Sequence, residues 1–544
     1  MGGSLRLRAA SSGTLSVVPA WAEIERKVFD GFFHFSPGYG RRVGDHAYDG
    51  RVGDASASTV KSRIGEIDQQ LRLLEGQAGL SRDQDVDRRA IMAQLRAQRF
   101  ELHDLREPFQ NPLFYAGWGT ELDVSVYIKR AYAPLPVRLA ALRLHLEGYP
   151  GVLEAARSNL EPSLPRPNLE IAIEATEGFS QYLAREVTAV ARDHPQTVAA
   201  VGQAIPQLDA FAAWLRSRLP QAHGDYALGE ARFTSYLRTR DLVTLDLPTL
   251  EAMAREDLER NTARARVVAA RIAADGIPLA LDAIQFRHPS VETLIPETAA
   301  MLEGIRTFIV DRDIMTIPSD VRCTVAPTPS FMSWASAALD SAGPLETVAT
   351  ESYYYVTVPT PDWGAAKTEE WLRYLNYAVL ENVSIHEAYP GHYVQALHER
   401  GASSLTRRLF WVQSTGEGWA HYCEQMMLEA GYKDDPRLEL AQVMDALLRN
   451  CRFLVAIGLH CRGMTMEDAV RTFMEKGFQT ELPARREATR GAFDPLYLNY
   501  TLGKLLIYEV RRNAERQPGF SLKSFHDRFL NCGNLPIPLI AELV

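Results

Sequence analysis

Two stretches of this chain carry side chains able to hold a metal ion and move a proton. The segment Glu381-Asn-Val-Ser-Ile-His-Glu-Ala-Tyr-Pro-Gly-His-Tyr393 places His386, Glu387 and His392 within seven residues. Glu417 follows downstream of His392, in Thr415-Gly-Glu-Gly-Trp-Ala-His-Tyr-Cys-Glu424. A hydrolytic zinc site takes three protein ligands and keeps one position open for water. Two neutral imidazoles and one carboxylate meet that demand and leave the site net positive. Zinc lowers the pKa of its water from 15.7 to about 7, and a neighbouring carboxylate can then take the proton. The residue types therefore point to His386, His392 and Glu417 as ligands, with Glu387 as general base.

The spacing raises a geometric objection. Histidines four apart share one helix face, as in the HExxH zinc helix. Here they are six apart, so a regular helix would leave them roughly 120° out of line. Pro390 cannot donate the hydrogen bond back to His386, and Gly391 tolerates unusual backbone angles. A bulge or kink at Pro390-Gly391 is therefore expected, and a regular helix would abolish the site. Glu417, His421 and Glu424 fall at i, i+4 and i+7 and share a face. Glu417 is the expected ligand, with His421 and Glu424 fixing histidine tautomers. Gly416, Gly418 and Ala420 are small enough to let the two metal-bearing helices approach closely. In isolation, Glu-x-x-x-His is more often a polar stripe on a surface helix; its place after the histidine cluster tips the balance.

Further residues would complete a hydrolytic site. Amide hydrolysis builds negative charge on the carbonyl oxygen, and a donor aimed there contributes about 3–4 kcal/mol. Tyr500 is the first choice for that donor and Tyr497 the second; a packed tyrosine with a satisfied hydroxyl is the plain alternative for both. Arg490 could pair with a substrate carboxylate in bidentate fashion, or form an ordinary salt bridge. His460 could donate to the same oxygen or be a hydrogen-bonded core histidine. Ser352-Tyr-Tyr-Tyr-Val-Thr-Val-Pro359 reads as a strand. Its edge would pair with an extended substrate, with Tyr353, Tyr354 and Tyr355 lining the groove; Tyr354 is the one assigned to substrate binding. His398 is expected to be solvated or structural.

The elements that must position these residues are mostly helical. Val60, Ile64, Ile67, Leu71 and Leu74 mark one helix face, and Asp85–Leu105 reads as the second arm of a hairpin. Pro134 and Pro136 open another helix, which ends at Gly148-Tyr149-Pro150. After an irregular connector at 161–167, Asn168 should cap a long helix to about Asp193. Another runs from about Pro248 to Ala274 and stops at Gly276. A weaker strand covers Val321–Ala326. The expected fold is mainly α, with a small sheet beside a central groove. The chain divides formally into a helical part at 1–300 and a catalytic part at 301–544, both able to frame one groove.

Composition narrows the function classes. The chain has 544 residues, 46% hydrophobic and 23% charged, as in ordinary globular proteins. Its 59 basic against 68 acidic residues give a net charge of −9, which disfavours nucleic-acid binding. No run of 18 apolar residues suggests a membrane span. Five scattered cysteines argue against both a disulfide framework and a thiolate zinc cluster. The N-terminal stretch Met1–Lys27 lacks a continuous signal-peptide core, so a cytoplasmic location is the default.

His-Glu-Ala-Tyr-Pro-Gly-His at 386–392, with Glu-Gly-Trp-Ala at 417–420, resembles the bacterial family labelled domain of unknown function 885. Later blocks are similar too: His460 with Gly463-Met464-Thr465, and Arg490 with Asp494-Pro495 through Gly503-Lys504. The resemblance spans most of residues 20–544 and is specific in the C-terminal third. It implies a gluzincin-like zinc peptidase with a helical fold like that of angiotensin-converting enzyme. The leading expectation is a zinc-dependent hydrolase of peptide or peptide-like amide bonds. Short substrates suit it best, and if Arg490 reaches the groove, a carboxypeptidase or dipeptidase. One alternative is a specialised amide hydrolase of secondary metabolism. Another is a non-catalytic helical binding protein braced by its metal. Zinc and a nearby transition metal are not separable from sequence, and the oligomeric state leaves no trace in it.

Overall fold

The computed structural model describes residues 20–117, 119–329 and 335–544. The chain is mainly helical, with one three-stranded sheet. The hairpin read from the Val60 periodicity forms from Ala57–Glu75 and Arg82–His103, the second helix opened by a capping box at Ser81 and Gln84. The helix opened by Pro134 ends where expected, Leu135–Glu147 stopping at Gly148, and Pro150 sits in the first turn of a new one, Tyr149–Asn159, where its missing N–H costs nothing. One boundary differs from expectation. Asn168 does not cap: its helix starts earlier, at Arg166–Tyr182, and runs through a π turn at Leu183–Val187 to Ala191. Its side chain instead reaches sideways to Asn111. The stretch before Ala20, which holds most of the segment read for a leader, lies outside the described residues.

Each of the four apolar cores draws residues from both sides of residue 300. Phe233–Ile284 pack with Leu440–Leu502, and Val86 and Ala90 join Leu294–Ile540. Ala349 completes the core around Tyr115–Leu215, and Leu409 and Phe410 complete the one around Ile24–Leu102. Buried ion pairs tie the parts further: Asp340 of the sheet meets Lys129 at 2.9 Å and Arg130 at 3.0 Å.

The sheet holds β1 (Thr324–Pro327), β2 (Ala337–Asp340) and β3 (Tyr353–Val356) in the order β1-β3-β2. β3, dense in aromatic and β-branched residues, takes the middle. It is parallel to β1 and antiparallel to β2, with Leu339 opposite Tyr354. A central strand has no free edge, so the expected pairing of substrate along β3 is not available. Among the described residues, the open edge nearer the candidate site belongs to β2, which carried no clear strand signal in the sequence. The side chain of Tyr354 is fully buried, and its hydroxyl accepts a hydrogen bond from Ser384 at 3.4 Å. It packs the sheet against the helix bearing His386 and lines no groove. Tyr353 and Tyr355 lie on the other face, stacked at 5.7 Å.

Candidate metal centre

His386 lies near the end of helix Tyr377–Glu387, and His392 opens the next helix, His392–Gly401. The break between them is sharper than a kink. Ala388 leaves helical angles, the Tyr389–Pro390 peptide is cis, and the Gly391 N–H donates to the Ile385 carbonyl at 3.0 Å. Gly391 is needed for space rather than for a left-handed conformation: a Cβ there would overlap the His386 carbonyl oxygen. This reversal swings the second imidazole back. The two ring centroids lie 4.9 Å apart and nearly perpendicular. Trp419 fastens the turn to the Glu417 helix, its indole N–H donating to the Pro390 carbonyl at 3.1 Å.

Glu417 comes from helix Gln413–Glu429. Its Oε2 lies 3.5 Å from Nε2 of His386 and 3.5 Å from Nε2 of His392. One ligand atom from each residue falls within 4.8 Å of the others. Burial opposes charge on Glu417, yet the two imidazoles hold its carboxyl well below the usual range. Burial likewise opposes charge on His386, but hydrogen bonding to Glu417 and Glu424 raises it to about 9.

Behind the candidate ligands lies a buried polar layer. Nδ1 of His386 faces Glu424 Oε1 at 2.7 Å, one helical stretch beyond Glu417. Glu424 also meets His421 at 3.3 Å and Arg449 at 3.1 Å. With Nδ1 engaged, Nε2 of His386 is left toward the cluster, as metal-binding histidines require. Sequence reasoning found Glu424 by its helical spacing. It missed Arg449, which stands 63 positions from His386, and Asn382, whose amide meets Glu424 at 3.4 Å and Asp445 at 2.7 Å. Asn382 was findable one turn before His386; Arg449 had no local signal.

The glycines serve a different contact from the one expected. Gly418 does not face the histidine helices. It packs against Gly503 of helix Asn499–Glu515, where a Cβ would stand 2.6 Å from the Gly503 backbone. Gly416 makes room for the Trp411 ring, which also lies 5.9 Å from His392.

Glu387 follows His386 in the same helix, and its Oε2 accepts the Leu339 N–H of β2 at 2.9 Å. The Tyr500 ring lies 6.4 Å from that of His386. The guanidinium groups of Arg449, Arg452 and Arg490 stand 4.9 to 5.7 Å from it. Burial, then the charge of Glu417, raises its pKa, so the phenol keeps its proton. Arg490 is engaged by Asp494 at 2.9 Å, with which any substrate carboxylate must compete.

Two expected residues lie away from the cluster. Tyr497 is fully buried in the core around Phe233 and Leu459, its hydroxyl pressed against Gly491. The reason is that only Tyr500 belongs to helix Asn499–Glu515; Tyr497 lies in the turn before it, so the helical i, i+3 relation expected from the sequence does not hold. His460 ends helix Pro436–Cys461, eleven residues and so about 16 Å beyond Arg449. Its Nε2 pairs with the Gly491 carbonyl at 2.8 Å and its ring stacks on Phe233. His398 is structural, held by Asn531 and the Thr316 carbonyl. All five cysteines are free.

Residues 37–544 match the model of a family described as "Bacterial protein of unknown function (DUF885)". The chain belongs to that family. Two solved structures share the fold. One is described as a "putative lipoprotein of unknown function" from Shewanella oneidensis, at 22% identity and a TM-score of 0.81. It matches 97% of this chain and 100% of its own. The other, a "putative lipoprotein" from Colwellia psychrerythraea, is 16% identical with a TM-score of 0.81, over 96% of this chain and 97% of its own. No curated protein matches the chain.

Proposed function

We propose that the protein is a metal-dependent hydrolase of peptide or peptide-like amide bonds. The observation that carries the reading is the convergence of His386, His392 and Glu417 within 4.8 Å, with Glu424 orienting the first of them. Two imidazoles and one carboxylate suit zinc or a similar divalent ion, and the buried Nδ1 of His392 leaves its Nε2 as the atom turned to Glu417. Such an ion supplies Lewis acidity that polarises a carbonyl and acidifies water.

The chain's own residues supply the rest. Glu387 takes a proton from the attacking water and returns it to the leaving amine. The Leu339 N–H holds its carboxylate at the open edge of β2. That edge can take an extended substrate by main-chain hydrogen bonds. Tyr500 keeps its hydroxyl proton and donates toward the developing oxyanion, ringed by three guanidinium groups that add positive potential. Arg490 can exchange Asp494 for a substrate carboxylate, which favours short substrates with a free C-terminus.

The test is metal analysis of protein purified without added metal, followed by a peptide-library digest. About one equivalent of zinc or a similar ion and cleavage of short peptides are expected. Glu387→Gln should keep the metal and lose at least about a hundredfold in turnover; unchanged turnover would remove Glu387 as the base. Cell fractionation decides between a cytoplasmic protein and the lipoprotein description given to the two structural relatives.

A further inference from the structure

A cavity of about 580 Å³ lies between the N-terminal part and the segments bearing Gln413, His460 and Asp494. Its wall includes Gln413, which precedes Glu417 by four positions and so lies on the same helix face. It also includes Asp494, the partner of Arg490. The opposite wall comes from the N-terminal part, at Glu101, Glu107, Asn111 and Asn168.

Two acceptors on that wall, on Glu107 and Asn168, are short of donors, although Arg232 and Arg240 also line the cavity. Glu101 is satisfied, accepting from Tyr236 and Arg240 at 2.7 Å each. Glu107 has no ion-pair partner among the described residues; its one side-chain donor is the Asn111 amide at 2.6 Å. The Leu113 N–H fixes the orientation of Asn111 by donating to its Oδ1 at 3.1 Å. Asn168 must therefore present its NH₂ to the same oxygen, at 3.0 Å. This leaves Asn168 Oδ1 with no hydrogen-bond partner, on a cavity-lining residue only 7% exposed. A buried acceptor without a donor costs about 1–3 kcal/mol. Burial, and then the neighbouring Glu101 charge, push Glu107 up to about 7.

We propose that Glu107 and Asn168 form a subsite for an ammonium group of the substrate. An ammonium carries three donors and no acceptor, which suits a wall holding an unpaired carboxylate and, linked to it through Asn111, an orphaned amide oxygen. This rests on the hydrolase reading and deepens it: the substrate class becomes short peptides or amides bearing a cationic amine. The amine could be the N-terminus or a lysine-like side chain.

Binding to the full chain, stripped of metal with a chelator, separates this subsite from catalysis. Four probes suffice in calorimetric titration: Ala-Lys-Ala, its Nα-acetyl form, Ala-norleucine-Ala, and the Nα-acetyl form of the last, which has no amine. The amine-free peptide should bind at least about tenfold more weakly than Ala-Lys-Ala. The single-amine peptide that keeps affinity identifies the amine. Glu107→Gln, which preserves shape and the Asn111 contact, should remove the preference. Asn168→Asp should strengthen it. Equal affinity for all four peptides, no binding at millimolar concentration, or a preference untouched by both variants overturns the proposal. Charge-dependent binding without hydrolysis would instead count against the hydrolase reading alone, and hydrolysis indifferent to the amine would count against the subsite alone.

Discussion

Glu424 illustrates how much of the candidate centre depends on residues that touch no metal. It is fully buried, and only the pull of Arg449 and the two histidines overcomes the cost of that burial and keeps it ionised. Its bond to His386 selects the ring nitrogen left for a ligand. Glu424→Gln keeps the volume but removes the charge, so His386 loses its anchor and Arg449 its partner. Zinc affinity should fall about 10- to 100-fold, measured by competition with a chromogenic chelator; unchanged affinity would make Glu424 a packing residue. The spacing Glu417, His421, Glu424 gave this residue away in the sequence, because helical periodicity is local. Tyr500 and Tyr497 show the opposite case. Tyr500 ranked first and Tyr497 second as donors, and only the start of the helix at Asn499, which leaves Tyr497 in the preceding turn, separated the one beside His386 from the one buried against Gly491.

At the scale of elements, the close crossing of the Glu417 and Tyr500 helices sets the geometry. Gly418 and Gly503 face each other, and a Cβ on Gly503 would overlap the Ser414 carbonyl oxygen at the start of the Glu417 helix. Gly503→Ala should therefore push the helices apart. A loss of about 3 kcal/mol in urea unfolding is expected, together with weaker metal retention. Full stability would show that the crossing can relax without cost. Behind the same helix, His526 lies between Tyr422 and the Ile314 carbonyl, and burial pushes it down to about 3. In the unfolded chain it titrates near 6.5. Below that pH the unfolded chain binds a proton that the fold refuses, so stability falls as pH drops from about 6.5 toward 3. The expected loss from this residue is about 2 kcal/mol between pH 7 and pH 5. His526→Gln, which cannot titrate, should shrink the difference between urea unfolding at those two pH values by that amount.

For the whole molecule, the three candidate ligands tie together helices that share one core with the sheet and the C-terminal segment. An ion bound only by the folded chain stabilises it by mass action. At a hundredfold excess over its dissociation constant, zinc should add about 2.7 kcal/mol, seen as a rise in Tm that a chelator reverses. His392→Ala should abolish the rise; a rise that survives it would place zinc elsewhere. The cavity belongs to this scale too, since its two walls come from segments far apart in the chain, around Glu107 and around Asp494.

Helical content, the strand around Tyr354, the candidate ligand residues and the need for a break at Pro390-Gly391 were all legible in the sequence. Each follows from neighbours within a turn or two, where periodicity, proline and glycine act. The central place of β3, the strand character of β2, the partnership of Gly418 with Gly503 and the arrival of Arg449 were not. They depend on which surfaces meet between distant parts of the chain, and burial and packing settle that only once the chain is folded.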